Sequence, residues 1–287
     1  MKIILKLCGG KEKGRDSFPD RWGRLLLDRR ERLMAQTENR PVRQLSNYDY
    51  LVGIEDYTRM GGIRYKVHDE DSFIHAADRY AVPPVESLRE LCDACHEIEQ
   101  AEERNELPEQ RWIEQLIDPG TSLGGARPKA NVVDTDGKLY VAKFPSKKDL
   151  EDTELFEHFS HRLAAAAGIR VAETQVVKIS HNRHLLLSER FDRTADGRRV
   201  HFASAMSLLG LRDGAGSSTG HGYLDIVDFI IKGCVDARQN LRELYRRVAF
   251  NVLFGNTDDH FRNHGFLLTA KGWTLSPAYD INPSSKY

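Results

Sequence analysis

The pattern of apolar residues changes at Gly120. Before it, residues 20–36 and 86–117 carry apolar side chains at helical spacing among charged ones, which predicts a mostly helical leader. After it, the apolar runs 130–133 and 139–144 flank an Asp-Gly turn, and this arrangement predicts a β-hairpin. The sequence therefore predicts an α+β fold.

The residues after this hairpin predict a further mixture of helices and strands. At 287 residues the chain is long enough for two lobes with separate cores. We divide it into a helical leader (1–118), a sheet with its helix (119–192) and a helical large lobe (193–287). The expected elements are helices at 149–167, 203–210, 223–232 and 241–255, strands at 171–179 and 184–190, and a final hairpin at 265–270 and 273–278.

The composition is that of an ordinary soluble protein. Hydrophobic residues make up 40% and charged residues 30%, and no apolar run approaches the roughly 18 residues that a membrane span needs. The apolar start, residues 1–8, is interrupted by Lys6 and is too short for a secretion signal. A net charge of −1 excludes a global basic field that would attract nucleic acid. We therefore predict a cytoplasmic protein with no membrane segment.

The four cysteines are too few and too scattered for a disulfide framework. The run from Cys92 to His96 matches the C-x-x-C-H pattern of covalent haem attachment, which would require an exported protein. A zinc site would need a second pair of ligands, and none lies nearby in the sequence. We favour the interpretation that Cys92 and Cys95 are buried thiols on a helix.

A group of polar residues near the C-terminus points to phosphoryl transfer. Asp258 and Asn263 stand five residues apart in a loop after helix 241–255, and Asp280 follows a hairpin. In protein kinases a catalytic-loop Asp accepts the proton of the substrate hydroxyl, an Asn five residues later holds magnesium, and a second carboxylate follows. Turn formation around Gly255 explains one or two of these residues but not the ordered set.

Two features upstream fit the same chemistry. The glycine-containing loop 122–129 can turn backbone amides toward phosphate, and its Arg127 and Lys129 add positive charge. Lys143 at the end of the second hairpin strand is costly to bury unless an anion meets it, and Glu154 and Glu157 on the next helix are the available partners. Taken alone, the loop could be an ordinary turn and the lysine an exposed one.

Together these motifs resemble the HipA family of bacterial toxin kinases. The stretch 122–129 is similar to the family's phosphate loop, and 189–193 is similar to its hinge signature. Residues 257–263, with Tyr279-Asp280, are similar to its catalytic loop and metal motif. The resemblance implies a two-lobed, protein-kinase-like fold, with an antiparallel sheet in the small lobe and a mostly helical large lobe.

The resemblance also implies a role for each matching residue. Lys143 would pair with the phosphates of ATP, with Glu157 as its preferred helix partner and Glu154 as the alternative. Asp258 would be the general base with His260 beside it, and Asn263 and Asp280 would hold Mg²⁺. Ser122 matches the serine that family members autophosphorylate. The remaining implied contacts are Gly124, Gly125, Ala126, Arg127 and Lys129 with the phosphates, and the backbone of Glu189, Arg190 and Phe191 with the adenine.

The implied function is that of an Mg²⁺- and ATP-dependent serine/threonine-protein kinase of a toxin–antitoxin system. Its implied partner is a HipB-like antitoxin with a helix-turn-helix domain, so that any contact with DNA is indirect, and its protein substrates could include an aminoacyl-tRNA synthetase. Two other interpretations stay open: a catalytically incompetent fragment that serves as an interaction or regulatory module, and a phosphotransferase that acts on a small molecule.

The resemblance has one departure at the C-terminal side. Family members continue past the metal-binding Asp with further large-lobe helices, whereas this chain ends at Tyr287 and is expected to be truncated. The apolar faces of 223–232 and 241–255 would then be partly uncovered, and an exposed apolar patch of this kind is typical of an interaction site. A companion chain that completes the large lobe is one expected partner.

Overall fold

The computed structural model describes residues 15–76, 82–120 and 127–282. Its helices are α1 (Arg21–Thr37), α2 (Asn47–Val52), α3 (Leu88–Glu103), α4 (Gln110–Gly120), α5 (Thr153–Ala166), α6 (Ala205–Leu208), α7 (Tyr223–Gly233) and α8 (Ala237–Phe254). Its strands are β1 (Lys129–Val133), β2 (Leu139–Lys143), β3 (Thr174–Ser180), β4 (Arg183–Glu189), β5 (His201–Ser204), β6 (Gly265–Thr269) and β7 (Gly272–Leu275). The predicted α+β class is confirmed.

Among the described residues of the leader, the α-helices are α1 to α4. Asp20 caps α1, because its side chain accepts a hydrogen bond from the backbone N–H of Gly23. Trp22 and Leu26, one helical turn apart, are buried against α3 and α4. The region 86–117 forms two helices, which the polar segment 104–109 separates. Burial of each large apolar side chain contributes about 1.5–3 kcal/mol, so this interface holds the leader firmly on the sheet.

The first sheet has the strand order β1-β2-β4-β3, with all neighbours antiparallel. Side chains on one face, such as Val132, Ala142 and Leu185, are buried in the core that α1, α3 and α4 share. Helix α5 packs against β3 and β4. The register places Lys129 directly opposite Lys143, so these two residues share the other face of the sheet.

The second sheet, β5-β6-β7, packs with α7 and α8 around Ile226, Ile230 and Phe266. The prediction of a helix from residue 203 is wrong in its first part, because His201–Ser204 form strand β5 and the helix is a single turn. Three successive residues of β5 are buried, so the strand lacks the alternation that identifies one in a sequence. Pairing with β6 and hydrogen bonds from Ser204 to Asp16 hold it instead.

A buried ionic network ties the leader to the segment after β4. Arg190 donates to the carbonyl of Thr58 at 2.9 Å and Arg193 donates to the carbonyl of Tyr57 at 2.8 Å. Both guanidinium groups also contact Asp192, which accepts a hydrogen bond from the backbone of Gly61. Burial would raise the pKa of Asp192, but the two arginines outweigh that effect and hold this pKa well below its usual range.

In the ranges that the structure describes, no helix combines the length and the apolar character that crossing a lipid bilayer requires.

Candidate active site

Lys143 lies at the centre of the candidate site. Its Nζ is 2.6 Å from Oε1 of Glu157 on α5, and it is in direct ionic contact with Asp280 beyond β7. The Lys143 and Glu157 side chains are almost fully buried, at 13% and 5% exposed. Of the two glutamates that the sequence offers, Glu157 is therefore the one that pairs with Lys143.

The charges in this trio stabilise one another. Burial alone would lower the pKa of Lys143, but the carboxylates of Asp280 and Glu157 hold it above its ordinary value. Burial alone would raise the pKa of Asp280, but Lys143 and Lys129 lower it to about 2. Lys143 is therefore a cation and Asp280 an anion at neutral pH, which are the charge states needed to bind phosphate and a divalent metal, respectively.

The backbone at Asp280 is unusual. Its φ angle is +52°, in the left-handed region that residues other than glycine seldom adopt. The preceding Tyr279 packs against Phe191 and Phe202, with ring centroids 5.6 and 6.2 Å away, and its hydroxyl donates to the carbonyl of Arg262. This aromatic cluster fixes the turn that aims the Asp280 carboxylate at Lys143.

The loop after α8 carries the other predicted site residues. Gly255 ends the helix with φ +74°, a conformation that glycine adopts without steric cost. Asp258 and His260 are exposed in the loop, and the Asn263 side-chain amide donates to the Asp258 carbonyl at 2.8 Å. Asn263 and Asp280 line the same cleft, so the structure brings together the two predicted metal ligands.

Asp259 connects this loop to α7 and α8, a role that the sequence analysis missed. Its carboxylate accepts hydrogen bonds from the Tyr223 hydroxyl at 2.5 Å and from the Asn251 amide at 2.8 Å. His264 Nε2 lies 2.9 Å from its other oxygen. Burial would raise the pKa of Asp259, but its contacts with His264, Tyr223 and Asn251 hold this pKa below its ordinary value. In the sequence, the position of Asp259 next to the predicted base Asp258 was the feature that pointed to this role.

Only part of the predicted phosphate loop is described. Ser122, Gly124, Gly125 and Ala126 lie outside the described residues. Arg127 forms ion pairs with Asp149 at 2.8 Å and with Glu154 at 2.7 Å. Its guanidinium therefore serves the start of α5 in this structure, and its contact with phosphate stays a prediction.

Lys129 is held by the first helix of the leader. The Trp22 indole donates to the Lys129 carbonyl at 3.0 Å, and the Lys129 ammonium lies 4.0 Å from the Asp20 carboxylate. Burial lowers the pKa of Lys129, with Asp20 and Asp280 opposing that effect. The Lys129 ammonium is thus close enough to interact electrostatically with Asp280.

The predicted hinge residues lie at the end of β4. The backbone N–H groups of Glu189 and Arg190 donate to the carbonyls of Glu173 and Leu139, so adenine contacts would fall to the other backbone groups of the segment. The Arg190 side chain is committed to the buried network with Asp192. Phe191 packs on Tyr279 and so connects the hinge segment to the metal motif.

The donor set suits magnesium better than zinc. Among the residues that the structure describes, no three His, Cys, Asp or Glu side chains cluster as a zinc site would require. One amide oxygen from Asn263 and one carboxylate from Asp280 are what a magnesium site needs when phosphates and water complete it. Cys92 and Cys95 are buried on α3, and burial raises the pKa of Cys92 to about 12. They are protonated thiols at neutral pH.

Comparisons with known proteins show which proteins the chain resembles. A family model described as the HipA-like C-terminal domain matches residues 121–287. A Haemophilus influenzae protein that is named as a kinase is 26% identical over 186 residues, covering 58% of this chain and 54% of the relative. The serine/threonine-protein kinase toxin HipA of Shewanella oneidensis is 26% identical over 264 residues, covering 81% of this chain and 59% of the relative.

A solved structure shows the same fold. The complex of Shewanella oneidensis HipA with HipB and its operator DNA contains a chain that superposes with a TM-score of 0.58 at 20% identity. The match covers 92% of this chain and 65% of that one. The chain thus spans about three-fifths of the length of these relatives, and at this identity the superposition shows the two-lobed, kinase-like fold.

Proposed function

The chain belongs to the family defined by the HipA-like C-terminal domain, and from this premise we propose that it transfers the γ-phosphate of ATP to a serine or threonine hydroxyl of a protein. Kinases of this kind use ATP with a divalent metal, here Mg²⁺. The observation that supports the proposal most strongly is the contact of Lys143 with both Glu157 and Asp280. A buried lysine paired with a helix glutamate, beside a carboxylate that shares a cleft with an asparagine amide, resembles the lysine–glutamate pair and the metal ligands of protein kinases.

The chemistry assigns a step to each group. Lys143 would bind phosphate oxygens of ATP, while the Phe191 segment would meet the adenine. Asp258 would accept the proton of the substrate hydroxyl as its oxygen bonds to the γ-phosphorus and the bond to the ADP oxygen breaks. Asn263 and Asp280 would hold Mg²⁺, which offsets charge on the phosphates. Asp258 is exposed, so a protein substrate can reach it.

Autophosphorylation at Ser122 is part of the same proposal. Ser122 precedes Arg127 and Lys129 by a few residues, so a phosphate on it would add about two negative charges beside the proposed phosphate loop. Those charges would compete with ATP for the same cations. We expect the modified chain to be the less active form.

The proposed partner is a HipB-like antitoxin with a helix-turn-helix domain. The Shewanella oneidensis structure contains HipB and operator DNA beside HipA. A net charge of −1 favours indirect rather than direct contact of this chain with DNA. We propose that the chain and its antitoxin act in the cytoplasm. Among protein substrates, an aminoacyl-tRNA synthetase is the candidate that the family resemblance suggests.

A companion chain is a second proposed partner. Helices α7 and α8 expose large apolar side chains to solvent, namely Leu224, Ile231, Tyr245, Val252 and Leu253. Large apolar side chains that stay exposed on two packed helices are typical of an interaction surface. This observation also favours the second candidate function, a non-catalytic interaction module, although the intact set of Lys143, Asp258, Asn263 and Asp280 argues against it.

A transfer assay separates these functions. The purified chain is incubated with labelled ATP and Mg²⁺, with and without a protein substrate, beside Asp258→Asn. Label on a serine or threonine of the wild-type chain or substrate, and its loss in the variant, is the expected result. Label on a small molecule alone would support the phosphotransferase alternative, and no label with folded protein would support the interaction module.

A further inference from the structure

Asp20 is a carboxylate that the proposed chemistry does not use. It caps α1 through Oδ1, which accepts from the Gly23 N–H at 3.2 Å. Its Oδ2 is buried, makes no hydrogen bond within the described residues, and lies 4.0 Å from the Lys129 ammonium. The two side chains are 18% and 6% exposed, so solvent screens their interaction little.

Lys129 faces the candidate site from the strand beside Lys143. The two lysines are directly opposite each other in the β1–β2 ladder, and residues paired in this way carry their side chains on one face. Their two positive charges act on three carboxylates, which are Asp20, Glu157 and Asp280. Asp20 is the member of this set that comes from the leader, and the Trp22 indole fixes the Lys129 backbone from the same helix.

We propose that Asp20 competes with nucleotide phosphate for Lys129, so that helix α1 limits how strongly the site holds a polyphosphate. The inference rests on the proposed function, since it requires phosphates to lie near Lys129. In the nucleotide-free chain Asp20 is one of the carboxylates that balance the charge of Lys129. When phosphate approaches that ammonium, the Asp20 carboxylate remains as a nearby like charge in a poorly solvated place, and it weakens the bound state. The effect acts on phosphate and not on adenosine.

Variants that remove the charge of Asp20 but keep the N-cap of α1 isolate this effect. Asp20→Asn keeps a good N-cap residue of the same size, and Asp20→Ser keeps a cap with a different side chain. Both variants should bind ATP about three- to tenfold more tightly than the wild type, because one buried like charge is removed. Adenosine affinity should not change. A merely structural role for Asp20 would produce weaker binding, not tighter binding.

Two controls test the route of the effect. Asp28→Asn makes the same charge change on α1 about 12 Å along the helix, at a carboxylate that accepts from the Tyr50 hydroxyl. It should leave ATP affinity unchanged. In a Lys129→Met background, Asp20→Asn should no longer tighten ATP binding by the full factor, since the two changes are then coupled.

The measurement is calorimetric titration of each full-length variant with ATP-Mg²⁺, adenosine and inorganic tripolyphosphate. Tighter ATP and tripolyphosphate binding in both Asp20 variants supports the inference. Equal or weaker binding of both anions overturns it, and ATP binding by the wild type then leaves the proposed function standing. If no variant binds ATP but tripolyphosphate binding still tightens, the competition is real and the kinase proposal fails. If neither anion binds to any variant, both fail.

Discussion

Lys143 and Asp280 are in direct ionic contact although 137 residues separate them in the sequence. Lys143 ends β2 of the first sheet and Asp280 follows β7 of the second, so their contact joins the two sheets at the candidate site. In the proposed kinase, Asp280 would bind a metal and Lys143 would bind phosphate. Nucleotide binding should therefore exchange this contact for two others, with Glu157 keeping Lys143 in place throughout.

Glu157→Gln should impair catalysis more than folding. The amide cannot balance the buried charge of Lys143, so its ammonium will be less well oriented toward phosphate. We expect kcat/KM for ATP to fall about 10- to 100-fold, as is typical of a misplaced positioning group. Steady-state kinetics check this result. Glu151→Gln, an exposed residue just before α5, is the matched control and should keep wild-type kinetics.

Asp258→Asn should slow phosphoryl transfer without weakening ATP binding. General acid–base catalysis by a positioned side chain contributes about 10²- to 10⁴-fold, and the amide cannot accept the hydroxyl proton. The rate of transfer should fall by that factor while the ATP dissociation constant stays within about twofold. A loss of ATP affinity that equals the loss of rate would instead assign Asp258 to nucleotide binding.

Asp259→Ala should destabilise the loop that carries Asp258, although Asp259 has no proposed contact with the reacting atoms. The change leaves the Tyr223 hydroxyl and the Asn251 amide without their acceptor, and an unsatisfied buried polar group costs about 1–3 kcal/mol. Urea denaturation should show a loss of at least this size. Tyr223→Phe removes only one donor and should cost less. Equal stabilities of Asp259→Ala and the wild type would contradict the role given to Asp259.

Asp20→Asn should stabilise the protein at neutral pH. Burial raises the pKa of Asp20 to about 6 from 3.8, with Lys129 opposing and Asp280 adding to the rise. The folded chain thus holds this proton more tightly than the unfolded chain, so stability is lost as pH rises from about 4 to about 6. The variant should gain about 1–2 kcal/mol at pH 7.5, less than the pKa difference alone implies because Lys129 loses a counter-ion.

Urea denaturation at two pH values checks that prediction. The gain should narrow below about pH 4, where Asp20 is protonated in both states. A gain that is the same at pH 4 and pH 7.5 would show that the Asn side chain acts by packing rather than by charge.

The sequence predicts the elements that local pattern specifies. Helix α1 follows from Asp20 and the spacing of Trp22 and Leu26, and the first hairpin follows from its Asp-Gly turn. Strand β5 is different, since its burial pattern has no period and its pairing with β6 depends on residues more than sixty positions later. Local reasoning has no access to such tertiary pairing.

The site shows the same division. The spacing of Asp258, Asn263 and Asp280 predicts the proposed chemistry, because one loop and one turn would have to reach a common point. The choice between Glu154 and Glu157 depends on which helix face meets Lys143, and the structure resolves it by giving Glu154 to Arg127. The Asp20–Lys129 pair spans the leader and β1, and no spacing rule in the sequence predicts it.

The most direct test of the nucleotide site is calorimetric titration of the purified chain with ATP-Mg²⁺, beside Asp280→Ala. The account predicts that the wild type binds ATP and that the affinity depends on Mg²⁺. It also predicts that Asp280→Ala, shown to be folded by circular dichroism, loses most of the metal-dependent part. A folded wild-type chain that binds no ATP, or an Asp280→Ala variant with undiminished metal-dependent affinity, would contradict the central claim that Lys143, Asn263 and Asp280 form a nucleotide site.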